Sequence, residues 1–215
     1  MDDRLLSFVQ NELQFIVLAI FAALYAVKAI QIARRPAPPQ GGIPRAGTAA
    51  GIVSSYAMTF VPWMMDSSKR HLGRWLEYAL YHLGAGSAIA ATFLFPFAPG
   101  LMVAPLRYAL VVFISAAAVV GVIKIARRFA KPELKVISTP DDYFSLVSLE
   151  VWLVTAVPAL LLDRTGMIAF FIITAVFLVY VPFSKISHYV YWFFARFLFG
   201  VKYGRRGVIP RSGAA

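Results

Sequence analysis

The sequence predicts an all-α integral membrane protein, a five-transmembrane-helix bundle with its N-terminus outside and its C-terminus in the cytoplasm. Three observations carry this expectation. The 215 residues are 60% hydrophobic and only 14% charged, against about half and about a quarter in soluble domains. Crossing a bilayer core takes about 20 apolar residues, and runs of that kind cover 13–33, 75–97, 101–123, 143–162 and 167–195. The basic residues between these runs sort by side. Arg34, Arg35, Arg45, Lys69, Arg70 and Arg74 follow the first, Lys124, Arg127, Arg128, Lys131 and Lys135 the third, and Lys202, Arg205, Arg206 and Arg211 the last. The other side holds only Arg4, Arg107 and Arg164, so the positive-inside rule sets the orientation in an inner (cytoplasmic) membrane.

The first run is preceded by Met1-Asp2-Asp3-Arg4, which lacks the basic start of a signal peptide, so this helix is expected to be retained. Residues 34–74 form a cytoplasmic loop. Within it, Arg35-Pro36-Ala37-Pro38-Pro39-Gln40-Gly41-Gly42 is a linker by composition. The stretch 48–65 is apolar but carries Ser54, Ser55, Thr59 and Pro62; as a span it would split the basic residues between two sides, so it reads as an interfacial segment or docking surface. Ser138-Thr139-Pro140-Asp141-Asp142 offers a capping hydroxyl, a proline and two acids, the signature of a helix start. The fifth run is longer than a span needs and contains Pro182, which predicts a kink and an extension past the membrane face. Residues 1–200 thus form a single membrane domain, and 201–215 a basic tail.

The net charge of +11 reads as topology rather than as a nucleic-acid surface, because it is segregated by side. The chain has no cysteine, which excludes thiolate-bound clusters and covalently attached haem. Any redox cofactor must be held by histidine or without ligation.

Two histidines lie within or beside apolar runs. His82 is eight residues after Arg74 and His188 eight before Arg196, about 12 Å of helix in each case. Since the second and fifth helices run in opposite directions, both imidazoles are expected at a similar depth, where they could clamp one b-type haem. Ala79, Ala85 and Gly86 share the face of His82 and leave room for a flat macrocycle, though small residues also serve plain helix packing. Ser184 could orient His188, and Lys185 could snorkel to headgroups or pair with a haem propionate. For either histidine alone, a hydrogen-bonded core or interfacial side chain is the plainer alternative. Glu150 lies inside an apolar run and is either a proton acceptor for quinone chemistry or a protonated acid bonded to Ser145, Ser148 or a neighbouring helix. His71, outside the second helix, lines a quinone entrance, touches a propionate or is simply interfacial. Tyr189, Tyr191 and Trp192 read as an aromatic belt.

Pro182-Phe183-Ser184-Lys185-Ile186-Ser187-His188, together with Tyr81-His82-Leu83-Gly84, resembles the gamma subunit of respiratory nitrate reductases and the related cytochrome b subunits of heterodisulfide-reductase-like and dissimilatory sulfite-reduction complexes. Ser138-Thr139-Pro140-Asp141-Asp142-Tyr143 is closer to the second group. The resemblance implies five-helix, quinol-linked cytochromes with haem ligands on the second and fifth helices, exchanging electrons with an iron-sulfur subunit. His82 and His188 match the ligands of the haem nearer the cytoplasm. The second ligand pair of the nitrate reductase subunits would fall near Thr92 and Phe170, neither of which ligates iron, so one haem b is expected. The partners implied are quinone, lipid and a cytoplasmic iron-sulfur, heterodisulfide-reductase-like subunit. A haem-free anchor for a redox enzyme is the competing reading. A transporter would need a polar pathway that Glu150, Ser115 and a few hydroxyls barely provide, and no internal repeat supports one.

Overall fold

The computed structural model of the chain describes residues 2–34 and 47–204. The Pro-rich linker Arg35–Gly42, with Arg45, and the tail from Arg205, with Arg206 and Arg211, lie outside the described residues. Among the described residues the fold is all-α. Its helices are α1 (Asp2–Gln10), α2 (Glu12–Ala33), α3 (Thr48–Phe60), α4 (Asp66–Arg70), α5 (Leu72–Phe97), α6 (Ala104–Ala130), α7 (Pro132–Ile137), α8 (Pro140–Leu160), α9 (Arg164–Tyr180) and α10 (His188–Lys202), linked in places by short 3₁₀ turns. Among the described residues, five stretches are long and apolar enough to cross a membrane: Asp3–Ile32, Leu72–Phe97, Ala104–Ala130, Pro140–Leu160 and Arg164–Phe183. The chain is a multi-pass membrane protein by the length and composition of its helices. It divides into two compact units, Met1–Ile30 with Glu77–Ile186, and Gln31–Leu76 with Ser187–Ala215.

The first unit packs α5, α6, α8 and α9 around a core that includes Ala88, Ala91, Ile114, Ala117, Leu153, Ala156, Phe170 and Phe171. Small residues let the backbones approach, which is how helices associate where lipid removes the hydrophobic drive between them. Gly84 is the tightest case: a Cβ there would lie 2.2 Å from Ala117 Cβ and 2.6 Å from the Phe113 carbonyl oxygen. Trp152 of α8 is stacked between Phe170 and Phe177 of α9, with centroids 5.9 and 5.5 Å away. Its Nε1 donates to Thr174 Oγ1 at 2.8 Å.

The start of the first span is tied down by amides. Gln10 Nε2 donates to the Phe95 carbonyl at 3.1 Å and Gln14 Nε2 to the Phe171 carbonyl at 2.8 Å. Arg164 pairs with Asp3 at the head of α9. These bonds explain why the helical stretch begins at Asp3, earlier than the apolar run alone indicates.

The predicted start of the fourth span is present. Helix α8 begins at Pro140 with Thr139 as its N-cap, and Asp142 Oδ2 accepts from the Thr139 N–H and hydroxyl, both at 2.8 Å. The third span runs further than expected, so Lys124, Arg127 and Arg128 sit in the closing turns of α6, where cations favour the negative end of the helix dipole.

The fifth span differs most from expectation. Instead of one kinked helix through 167–195, α9 ends at Tyr180, 3₁₀ turns occupy Val181–Phe183 and Lys185–Ser187, and α10 begins at His188. Pro182 supplies no N–H to continue the ladder. Ser184 Oγ donates to the Val181 carbonyl at 3.0 Å and accepts the Ile186 N–H at 3.1 Å, which closes the turn instead.

In the second unit, the stretch expected to be interfacial forms α3. Its 13 residues make about 20 Å of helix, short of the roughly 30 Å hydrocarbon core. Helix α3 packs on α10: Ser55 Oγ donates to the Arg196 carbonyl at 2.8 Å and Tyr56 OH to the Phe193 carbonyl at 2.7 Å. Gly200 and Gly204 bring α10 onto the backbone of Gly51 and Ile52. Trp192 sits edge-on to Tyr56 and Phe60, so this member of the expected aromatic belt is part of a helix–helix contact.

Candidate functional site

Helix α5 turns one stripe inward, with Tyr81, Gly84, Ser87, Ala88, Ala91, Thr92 and Phe95 buried. His82, about 100° round the helix from Tyr81, falls off that stripe and is exposed. Its Nδ1 lies 2.8 Å from the Tyr78 carbonyl oxygen, one turn back. A carbonyl only accepts, so Nδ1 carries the proton and the imidazole lone pair is at Nε2. A ring nitrogen bonded to a backbone carbonyl is the usual way a ligating histidine has its tautomer and orientation set. The Tyr78 ring lies against the imidazole at 4.0 Å between centroids. One turn on, Gly86 faces open space, with nothing within 4 Å of where a Cβ would stand. The His82–Gly86 face of α5 thus combines an imidazole held by the Tyr78 carbonyl with open space at Gly86.

His188 belongs to the second unit, as the exposed first residue of α10. It lies beyond the end of the fifth span at Phe183, whereas the sequence places it inside a continuous helix. The eight-residue helical interval to Arg196 is retained within α10.

Lys185 is engaged by the cap of α8. Its Nζ donates to Asp142 Oδ2 at 2.7 Å and to Thr139 Oγ1 at 3.0 Å, and its backbone N–H donates to Asp141 Oδ2 at 3.2 Å. Asp141 Oδ1 also accepts from Tyr180 OH at 2.7 Å. The two acids therefore cap α8 and fasten it to the end of α9, and they draw in the lysine that the sequence offers to a propionate or to headgroups. Because the Lys185 side chain is 54% exposed, this ion pair is worth little. Lys185→Met is expected to lower stability by less than about 1 kcal/mol, measured by denaturant titration in micelles, and to leave α8 starting at Pro140.

Thr92 and Phe170, the positions of an absent second ligand pair, are both buried in the first unit. Thr92 Oγ1 donates to the Ala88 carbonyl at 3.0 Å. His71 closes α4, and its carbonyl accepts the N–H groups of Arg74 and Trp75 at 3.0 and 3.1 Å; it helps to start α5. Among the described residues no three histidine, cysteine, aspartate or glutamate side chains converge as a bare-metal site.

Glu150 is 7% exposed and lies against α6 at Gly121. The serines that the sequence offers it are engaged elsewhere: Ser145 Oγ lies 2.9 Å from Tyr180 OH and Ser148 Oγ donates to the Ser145 carbonyl at 3.2 Å. Three residues around it escape sequence reasoning. Tyr81 is buried beside Gly121, Lys124 Nζ lies over the Tyr81 ring at 3.9 Å from its centroid, and Arg127 forms a two-pronged pair with Glu77 at 2.9 and 3.0 Å. Glu77 carries the one available signal, an acid inside an apolar run.

Comparison with protein-family models, with curated proteins and with solved structures returns no match to this chain. The resemblance drawn from the motifs around His82 and His188 rests on those residues alone.

Proposed function

We propose that the chain is the membrane cytochrome b subunit of a quinone-linked oxidoreductase complex in an inner (cytoplasmic) membrane, with its N-terminus outside. It passes electrons between the quinone pool and a cytoplasmic iron-sulfur partner of the heterodisulfide-reductase-like kind. The observation that carries the reading is the Nδ1 bond from His82 to the Tyr78 carbonyl at 2.8 Å, beside the open face at Gly86. When bound, haem b supplies a one-electron carrier that links quinone chemistry to iron-sulfur centres. His82 would hold it through Nε2, and His188 is the second ligand by its place in the motif. The Tyr78 carbonyl fixes the imidazole, and the bare backbone at Gly86 leaves space beside it. The basic residues at the end of α6 and in the following turn, Arg127, Arg128, Lys131 and Lys135, give that side a positive surface suited to an acidic partner or to anionic headgroups.

A haem-free anchor is the second reading. It is favoured by the break between α9 and α10, which puts His188 past the fifth span, and by the engagement of Lys185 with Asp142. Reduced-minus-oxidised absorbance of the purified chain, with a quinol analogue as reductant, separates the two. The cytochrome reading expects a b-type spectrum that the quinol develops. A folded chain co-purified with its partner and lacking that spectrum is the anchor.

A further inference from the structure

Glu150 has no hydrogen-bond partner on either carboxyl oxygen among the described residues, although it is more than nine-tenths buried. Its place is built by a glycine. A Cβ on Gly121 would stand 1.8 Å from Glu150 Oε2, 2.8 Å from its Cδ and 3.2 Å from Tyr81 Cε2. The missing side chain of α6 is therefore the space that the carboxyl fills, and the Tyr81 ring is its wall. A charged carboxylate without donors in such a place costs several kcal/mol, whereas a carboxyl carrying its proton costs far less. An acid kept in this state at a glycine-made recess is a functional group rather than a packing choice.

Ionisable side chains follow Gly121 along α6. Lys124 is three residues from Gly121, less than one turn, and holds its ammonium over the outer face of Tyr81. Another three residues on, Arg127 pairs with Glu77 across to α5, and both side chains are about one-third exposed, at 31% and 30%. Of the charged or titratable groups on α5 and α6, Tyr81 stands at the same recess as Glu150, Lys124 lies over the Tyr81 ring, and Glu77 pairs with Arg127. On α9, Tyr180 is turned to Asp141 and Ser145, and Thr174 to Trp152. From Gly121 toward the C-terminal end of α6 the chain thus passes Lys124 and then Arg127.

We propose that Glu150 is a reversible proton-binding site of the membrane bundle, exchanging its proton with bulk water on the side of α6 that carries Lys124 and the Glu77–Arg127 pair. In uptake, an O–H bond of a hydronium ion from bulk water breaks as the Glu150 O–H bond forms, and the water is returned; Lys124 keeps its proton and acts as a fixed charge beside the Tyr81 ring. Tyr81 walls the recess. Use of the site to accept a proton released by quinol rests on the electron-transfer reading above; the exchange itself does not.

Infrared difference spectroscopy of the full chain in lipid nanodiscs tests this. The wild type is expected to show a carboxylic-acid C=O stretch that Glu150→Gln removes. In Lys124→Met the band should remain, with its hydrogen–deuterium exchange slowed by about tenfold or more, equivalent to about 1.4 kcal/mol on the barrier. Gly121→Ala retains the acid but occupies its recess and should shift the band, so the test survives if Glu150→Gln does not fold. A wild-type band that Glu150→Gln leaves intact, a band unmoved by Gly121→Ala, or exchange unchanged in Lys124→Met would each overturn the proposal. Haem content measured on the same samples reports separately on the cytochrome reading.

Discussion

Trp152→Ala is expected to lower the stability of the first unit by about 3–5 kcal/mol. The indole is 4% exposed and fills the space between Phe170 and Phe177, stacked within 19° and 16° of their planes. In lipid the loss is one of packing, since apolar surface gains little by leaving a hydrocarbon solvent. The hydrogen bond is the smaller part: Thr174 Oγ1 still donates to the Phe170 carbonyl at 2.7 Å without the tryptophan. Trp152→Phe keeps most of the stack and drops the bond, and should cost about 1 kcal/mol. Steric-trapping or denaturant measurements in micelles distinguish the two variants. Equal losses would mean that the hydrogen bond, and not the stack, holds α8 to α9.

Gly84→Val should be nearly as damaging, at about 3 kcal/mol, for the opposite reason. Its Cβ has no room between Ala117 Cβ and the Phe113 carbonyl, and backbone cannot rotate out of the way. Helices α5 and α6 would have to separate, pulling Glu77 from Arg127 as well. Gly86→Val, two residues on, meets open space and is expected to change stability by no more than about 0.5 kcal/mol. If that face receives the macrocycle, Gly86→Val lowers haem content while the fold survives. The two glycines therefore separate a packing role from a cofactor role within one turn of helix.

The five spans were legible because their cause is local: each needs only a long apolar run. The cap at Thr139–Asp142 was legible for the same reason, since its participants lie within four residues. What failed to show were contacts between residues far apart in the chain. Lys185 on Asp142, Tyr180 on Asp141 and Arg127 on Glu77 join elements that no periodicity relates. The break before α10 had its proline in plain view, but whether Pro182 kinks or ends a helix depends on the turn bonds of Ser184. At the candidate site, His82 and Glu150 stood out as polar residues in apolar runs. The recess at Gly121 did not, because a glycine in a membrane helix has many ordinary uses, and only the carboxyl opposite gives this one its meaning.

The cytochrome reading requires that His82 hold haem iron. Haem per polypeptide, measured on the purified wild type, His82→Ala and His188→Ala with helical content checked in each, addresses it most directly. One haem b in the wild type and none in either folded variant is the predicted result. A folded His82→Ala chain that keeps its haem would contradict the account.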